Sequence, residues 1–146
     1  MIDTLIDTNI LVYAHSDQDE RKRAVAVARL SELYDNKSAC LTTQILAEFY
    51  VSMRRLLKPI LGNDRQAQRT ARELLSDYAG LFPVLHISEE DVVAAASLVE
   101  SHSLSFWDAL VWSSAKSHGV KKILSEDGPT GTTIEDVTFV NPFLEQ

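Results

Sequence analysis

Short apolar runs alternate with longer amphipathic segments along this chain, and this order constrains its fold more than any other feature. Short strands are predicted at residues 5–6, 39–41, 84–87, 123–125 and 138–140. Amphipathic helices are predicted between them, at about residues 19–34, 43–59, 63–80, 88–99 and 105–118. Because strands that alternate with helices tend to pair in parallel, the predicted fold class is α/β, with a central parallel sheet flanked by helices on both faces.

Residues that start and stop helices lie at the ends of these segments. Thr42 or Thr43 is placed to cap the second helix, since a threonine side chain can accept a hydrogen bond from the first turn. Pro59 and Gly62 are expected to end that helix. The boundaries therefore support the same order of elements.

The length and composition are those of one compact domain. With 146 residues, 45% of them hydrophobic and 24% charged, the chain can bury one core, so a single domain over residues 1–146 is predicted. Its single cysteine, Cys40, lies in an apolar run and is predicted to be buried, which fits a reducing compartment. The N-terminus has no basic region, and its longest apolar run, residues 10–14, predicts neither a signal peptide nor a membrane span. We therefore expect a cytoplasmic location.

The net charge of −7 argues against a protein that coats nucleic acid by bulk electrostatics. It is compatible with a nucleic-acid enzyme whose acidic site is neutralised by metal ions. The basic residues occur in clusters at residues 21–23, 54–58 and 121–122. Each cluster taken alone is most simply a solvated helix face.

Acidic residues occupy the positions where open α/β sheets bind ligands, namely the carboxyl ends of strands. Asp7 follows the first strand, and Glu126 and Asp127 follow the fourth. Glu48 and Asp108 lie in otherwise apolar stretches, where a carboxylate must be paired, protonated or bound to a cation. Converging carboxylates without basic partners suit a hard cation such as Mg²⁺ or Mn²⁺.

Each of these acids also has a purely structural interpretation. Asp7 suits a turn or a helix cap, and Glu48 suits the polar rim of an amphipathic helix. Asp108 follows Ser105 by three residues, which is the spacing of a capping box. Asp127 precedes a glycine, as in an Asp-Gly turn. Only the combination of the acids with their flanking residues favours a common site.

Four motifs and the C-terminal region together resemble the PIN-domain nucleases, and more narrowly the VapC-type toxins of type II toxin-antitoxin systems. The motifs are LIDTNILV at 5–12, QILAEF at 44–49, LSFWDALV at 104–111 and ILSED at 123–127. The segment VNPF at 140–143 is also similar to the end of the family's domain. The resemblance therefore runs along the whole chain.

The resemblance implies a catalytic divalent-metal site built from Asp7, Glu48, Asp108 and Asp127. Thr8 and Asn9 would support this site by hydrogen bonding, and Ser105 would support it or cap a helix. A Gly-Pro pair follows Asp127, where the family often has an apolar residue. Glu126 is therefore an alternative that shares or replaces the role of Asp127.

The activity implied by the resemblance is hydrolysis of RNA phosphodiester bonds with Mg²⁺ or Mn²⁺, leaving a 5′-phosphate and a 3′-hydroxyl. The implied partners are an RNA substrate, a cognate antitoxin protein and a second copy of the chain in a homodimer. The basic clusters at residues 21–23 and 54–58 are candidate contacts for the RNA backbone. No association with a membrane is expected.

Two other classes of protein remain open at this point. A strand followed by an acid also opens haloacid-dehalogenase-type phosphatases, in which Asp7 would be a covalent nucleophile. That pattern has a second acid two residues later, where this chain has Asn9. A non-catalytic binding module with the same fold is the other alternative. The intact set of acids favours the nuclease.

Overall fold

A computed structural model describes residues 1–144, in which six strands form one sheet. The strands are β1 (Thr4–Ile6), β2 (Ala39–Thr42), β3 (Val84–Leu85), β4 (Lys122–Leu124), β5 (Thr133–Ile134) and β6 (Val137–Val140). Their spatial order is β3-β2-β1-β4-β6-β5. Neighbouring strands are parallel except β5, which runs antiparallel to β6 at one edge. The predicted α/β fold with a parallel sheet is confirmed, with this edge hairpin added.

Six helices surround the sheet within the same residues. They are α1 (Thr8–Tyr13), α2 (Glu20–Asn36), α3 (Thr43–Leu61), α4 (Asp64–Leu81), α5 (Glu89–Ser101) and α6 (Phe106–Ser117). None of these helices is long and apolar enough to cross a membrane.

The order of the strands sets the sides on which the helices lie. From β1 through β2 to β3 the chain moves toward one edge, whereas the connection from β3 to β4 returns to the other side of β1. Since crossovers between parallel strands are right-handed, this reversal places α2, α3 and α4 on one face and α5 and α6 on the other. In agreement with this, α3 packs against α4, and α5 packs against α6.

The central strands and the inner faces of the helices form the hydrophobic core. All three residues of β1 are buried, as expected for a parallel strand that is covered on both faces. In α3 the buried residues Ile45, Phe49 and Met53 recur every fourth position and form one apolar stripe. Cys40 lies in β2 and is buried, as predicted.

Most helix ends follow the predicted caps. Thr42, rather than Thr43, caps α3, because its side chain accepts a hydrogen bond from the Ile45 backbone N–H at 3.2 Å. Gly62 ends the helix in the left-handed conformation, with φ of 64°. Pro59 does not end the helix as expected but lies in its last turn, where it removes one backbone hydrogen bond.

Two short elements were not predicted from the sequence. α1 begins directly after β1, and Asp7 is its N-cap. β5 forms a tight hairpin with β6, and the two turn residues Glu135 and Asp136 have positive φ of 44° and 74°. Elements of six and two residues carry too little hydrophobic periodicity to stand out from loops.

Gly128 packs directly against the ring of Phe139 in β6. A Cβ atom at position 128 would lie 2.2 Å from Phe139 Cδ1, well inside van der Waals contact. Phe139 is almost fully buried in the core, so its ring has little room to move aside. The turn that follows Asp127 therefore requires glycine at this position.

We predict that Gly128→Ala destabilises the protein by about 1–3 kcal/mol, the usual cost of overpacking a core, because the added methyl group must displace the Phe139 ring. Urea unfolding followed by circular dichroism measures this change. Gly80→Ala is the matched control, since Gly80 lies in α4 and, apart from its chain neighbours and the backbone of its own helix, no described atom lies within 4 Å of the added Cβ. Alanine there should stabilise the helix by up to about 1 kcal/mol. Equal stability of Gly128→Ala and wild type would contradict the close contact.

Candidate active site

The candidate site lies where the chain reverses its direction across the sheet. β1 and β4 are parallel neighbours, with Ile6 opposite Leu124. In open α/β sheets the crevice outside the carboxyl ends of strands at such a switch point is the usual ligand site. Asp7 follows β1 directly, and Asp127 lies three residues after the end of β4. Two of the predicted acids therefore lie at this crevice.

Two helices bring the other predicted acids to the same crevice. α3 begins directly after β2 and carries Glu48 in its second turn. Asp108 lies in the first turn of α6, where the Ser105 side chain caps the helix by accepting from the Asp108 backbone N–H at 3.1 Å. Asp7 and Asp108 both lie at helix N-termini, so the positive ends of two helix dipoles favour their charged forms.

One open pocket of about 600 Å³ is lined by all four predicted acids. Further polar residues in its lining include Thr8, Asn9, Gln44 and Glu126, and Trp107 also lines it. No lysine, arginine or histidine from the described part of the chain lines the pocket. The electrostatic potential inside is therefore strongly negative.

Asp7 is the most deeply buried of the four acids, with 8% of its surface exposed. Its carboxylate accepts hydrogen bonds from the Ser125 hydroxyl at 2.7 Å and from the Thr8 backbone N–H at 2.8 Å. Burial raises the pKa of Asp7 from 3.8 to about 6; the two hydrogen bonds lower it, and the charges of Asp108 and Glu48 raise it further. The loss of solvent therefore outweighs the hydrogen bonds.

Glu48 and Asp108 are half-buried and repel one another. Glu48 accepts a hydrogen bond from Gln44 Nε2 at 2.6 Å. Burial raises the pKa of Glu48, and the charge of Asp108 adds to the rise, while the Gln44 hydrogen bond opposes it. Burial also raises the pKa of Asp108; a hydrogen bond with Ser105 opposes the rise and the charge of Asp127 adds to it. Like charges thus crowd a partly dehydrated pocket.

The two acids after β4 have different partners. Glu126 forms an ion pair with Lys22 and accepts a hydrogen bond from the Tyr13 hydroxyl at 2.6 Å. Asp127 accepts a hydrogen bond from the side-chain amide of Asn9 at 3.0 Å and forms no ion pair within residues 1–144. The charge of Lys22 compensates Glu126, so Asp127 keeps its charge available for a cation.

The donor set fits a hard divalent cation. Within residues 1–144 none of the four acids forms an ion pair, and the buried oxygens Thr8 Oγ1 and Gln44 Oε1 beside them have no hydrogen-bond partner. Oxygen ligands of this kind are those that Mg²⁺ and Mn²⁺ prefer. In the same residues no three histidine, cysteine, aspartate or glutamate side chains lie close enough together to hold an ion without moving. A cation would therefore have to draw the carboxylates inward against their mutual repulsion.

Asn9 and Ser105 make the hydrogen bonds expected of them, whereas Thr8 contributes only its backbone N–H, since its hydroxyl has no hydrogen-bond partner within residues 1–144. The Thr8 backbone donates to Asp7, and Ser105 caps α6. Asn9 donates to Asp127, while its side-chain oxygen accepts from the Glu126 backbone N–H at 3.2 Å. Asn9 therefore holds both residues of the turn after β4.

Sequence reasoning missed Ser125 and Gln44. The Ser125 hydroxyl donates to Asp7 and accepts from the Asp127 backbone N–H at 3.1 Å, so one buried side chain joins two acids. Gln44 precedes Glu48 by four residues on the same helix face and donates to it. The only sequence signal for Ser125 is its position between a strand and two acids. The only one for Gln44 is its position one helical turn before an acid.

The basic clusters do not line the pocket, and several of their members are paired. Arg23 pairs with Glu20 at 2.7 Å, and Arg54 pairs with Asp64 at 2.8 Å. These charges are compensated locally, so they attract an RNA backbone less strongly than the sequence alone suggests.

Comparisons with known proteins agree with this fold. A family model described as PIN domain matches residues 4–128. FitAcB from Neisseria gonorrhoeae has a TM-score of 0.71 and 23% identity, over 97% of this chain and 99% of that one. A toxin-antitoxin complex from Klebsiella pneumoniae has a TM-score of 0.66 and 18% identity, over 96% and 98%. VapC20 from Mycobacterium tuberculosis, a toxin that cleaves the sarcin-ricin loop, has a TM-score of 0.63 and 18% identity, over 87% and 92%. A search of curated proteins finds no significant match.

A mostly parallel α/β domain with an acidic crevice at its switch point is the class of protein that the fold and the site define. The chain belongs to the PIN-domain family, because the family model matches most of its length. The resemblance that the four motifs indicated is thereby confirmed. Membership of this family favours the nuclease interpretation over the phosphatase one.

We predict that the metal-free protein becomes more stable as the pH falls from neutrality toward 4. The pKa of Asp7 is about 6 in the folded protein against an ordinary value of 3.8, so between these values the folded state binds more protons than the unfolded state. Ionisation of Asp7 above this window therefore costs the folded state up to about 3 kcal/mol. Urea unfolding in the presence of a chelator, repeated across this pH range, measures the effect.

Two variants isolate the contribution of Asp7 to this pH dependence. Asp7→Asn should weaken it, because the contribution of Asp7 is gone, while Glu48 and Asp108, whose pKa values burial also raises, retain a smaller dependence. Asp136→Asn removes an exposed charge outside the pocket and should retain it. The same pH dependence in both variants would show that the charge of Asp7 is not destabilising.

Proposed function

We propose that this protein is an Mg²⁺-dependent endoribonuclease, with Mn²⁺ as the alternative cation, and that it is the toxin of a type II toxin-antitoxin pair. The observation that carries the proposal is the pocket at the switch point of a PIN-domain chain, where four acids gather and none is ion-paired within the described residues. RNA as the substrate is supported by the likeness to VapC20, a toxin that cleaves the sarcin-ricin loop.

The residues proposed to hold the metal and to form the catalytic site are Asp7, Glu48, Asp108 and Asp127. When bound there, the cation would polarise the scissile phosphate and lower the pKa of an attacking water. Ser125 and Gln44 would keep Asp7 and Glu48 in position by donating hydrogen bonds to their carboxylates. Asn9 would do the same for Asp127. No side chain needs to act as a nucleophile.

We assign the fourth carboxylate to Asp127 rather than to Glu126. Glu126 is engaged by Lys22 and Tyr13, and using it as a ligand would leave the Lys22 charge without its partner. Its contacts suit a structural role, in which the ion pair between α2 and the turn after β4 keeps Asp127 at the edge of the pocket.

We further propose that the protein acts in the cytoplasm as a homodimer and is inhibited by a cognate antitoxin that inserts a segment near the acidic pocket. The toxin-antitoxin complex from Klebsiella pneumoniae supports a partner of this kind. The pocket is open to solvent and lined by both polar and apolar surface, so a protein segment could enter it.

We predict that the purified protein, freed of any partner, cleaves a structured RNA pool in Mg²⁺ but not in chelator, and leaves 5′-phosphate and 3′-hydroxyl ends. Asp7→Asn should abolish cleavage and leave a folded protein, because the exchange keeps the shape of the side chain and removes a charge that holds the cation. Gel electrophoresis measures the cleavage, and sequencing of the RNA identifies its ends.

Matched variants make this test specific. Asp136→Asn removes the same charge from an exposed position and should cleave like wild type. Asp127→Asn should lose more activity than Glu126→Gln, as the different partners of the two acids imply. Cleavage near the wild-type rate by Asp7→Asn, in a preparation free of other nucleases, would remove Asp7 from the site. Hydrolysis of a phosphate ester without RNA cleavage would favour the phosphatase, and no hydrolysis at all would favour the binding module.

We predict that expression of this chain alone slows the growth of a bacterial host and that Asp7→Asn relieves the effect, because toxicity requires the nuclease activity. Growth curves of induced cultures, with expression levels matched by immunoblot, provide the measurement. Normal growth alongside an active purified enzyme would refute the toxin role and favour a housekeeping nuclease.

A further inference from the structure

One residue that lines the acidic pocket is a largely exposed tryptophan. Trp107 lines the pocket and is 60% exposed. The other of the two tryptophans, Trp112, is 4% exposed and donates from Nε1 to the Ile134 carbonyl at 3.0 Å. Among the described residues Trp107 lies outside the hydrophobic core. Because a tryptophan can bury on the order of 150–250 Å², this ring offers a large apolar face to a ligand.

The first turn of α6 holds the ring beside the carboxylates. The Phe106 ring packs against it edge to face, with centroids 5.3 Å apart and planes at 76°. The Trp107 carbonyl accepts from Gln44 Nε2 at 3.4 Å, and the same nitrogen donates to Glu48 at 2.6 Å. Asp108 is the next residue, so the two Cα atoms are about 3.8 Å apart. Gln44 thus links the Trp107 backbone to Glu48, while the Phe106 ring contacts the indole.

Within residues 1–144, the pocket has no basic side chain with which to bind a nucleic-acid strand. Lys22 lies close by but is paired with Glu126. Contacts from lysine and arginine to phosphates normally supply much of the affinity for nucleic acid, so inside this pocket a strand gains affinity from a bound cation and from its bases. Tyr13 is the other aromatic residue of the described lining, but its hydroxyl is bonded to Glu126 and its ring packs on Phe143 at 5.1 Å. Trp107 is therefore the aromatic face open to a base.

We propose that Trp107 is a stacking platform for an unpaired base next to the scissile phosphate. The proposal rests on the proposed nuclease function. Every base has a π-face, so the ring can stack on any unpaired base, whatever the sequence of the strand. A base inside a duplex is stacked on both sides and must leave the helix before it can reach Trp107.

The test measures binding of a short single-stranded RNA of mixed sequence, with Ca²⁺ in place of Mg²⁺ to slow cleavage. Stacking should quench the fluorescence of exposed Trp107, and a strand of the same length without bases should not. By anisotropy of labelled RNA, Trp107→Ala should bind roughly 5- to 150-fold more weakly, the range for one base stacked on an aromatic ring. Trp107→Phe should recover most of this affinity.

Val93→Ala is the matched control, because Val93 is 70% exposed on α5 and lies outside the pocket. This variant should bind like wild type, and melting curves should show that all variants are folded. Unchanged RNA affinity in Trp107→Ala overturns the proposal. An equal loss for duplex RNA, or for the strand without bases, also overturns it. If Trp107→Ala loses affinity only for an antitoxin, the ring belongs to a protein interface and the proposal is likewise wrong.

Cleavage and stacking are separate readouts, so the two proposals can fail independently. If wild type cuts RNA and Trp107→Ala binds RNA as tightly as wild type, the nuclease proposal stands and the stacking proposal fails. If wild type binds single strands through Trp107 but does not cut them, the stacking proposal stands and the nuclease proposal fails. A wild-type protein that neither binds nor cuts RNA overturns both.

Discussion

The parallel pairing of β1 with β4 is the contact on which the candidate site depends. It brings Asp7 and Ser125 into a hydrogen bond of 2.7 Å although 118 positions separate them in the chain. Because these strands lie where the chain reverses direction across the sheet, their carboxyl ends open onto a crevice. Asp127 follows β4 into this crevice, while α3 and α6 bring Glu48 and Asp108 from the two sides of the sheet.

The crevice is electrostatically unfavourable in the metal-free protein. Burial raises the pKa of Asp7, of Glu48 and of Asp108, and the charges of neighbouring acids add to each shift. Hydrogen bonds to the carboxylates and the N-termini of α1 and α6 offset part of this cost. Burial of the hydrophobic core around β1 and β4 offsets the unfavourable free energy that remains. A fold that satisfies local rules elsewhere and breaks them where acids gather is typical of a functional site.

The elements that the sequence predicted are those with a strong local pattern. The apolar runs of β1 and β2 and the apolar stripe of α3, which recurs every fourth position, can be recognised from neighbours a few positions apart. α1 and β5 were not predicted because elements this short have too few residues to show a hydrophobic period. At the site, the four acids were found through their motifs, whereas Ser125 and Gln44 are common residue types whose roles appear only once their partners are placed.

By itself, the sequence determined the α/β order, the apolar core segments, the acids that are candidates for a metal and the membership of the PIN-domain family. Only the tertiary structure decided that Glu126 is neutralised by Lys22 while Asp127 is not, that Gly128 must make room for Phe139, and that Trp107 is exposed beside the acids. The physical reason is the range of the interactions. Helix periodicity and capping act over a few residues, whereas the pairing of Lys22 with Glu126 joins positions 104 residues apart and exists only after the strands have paired.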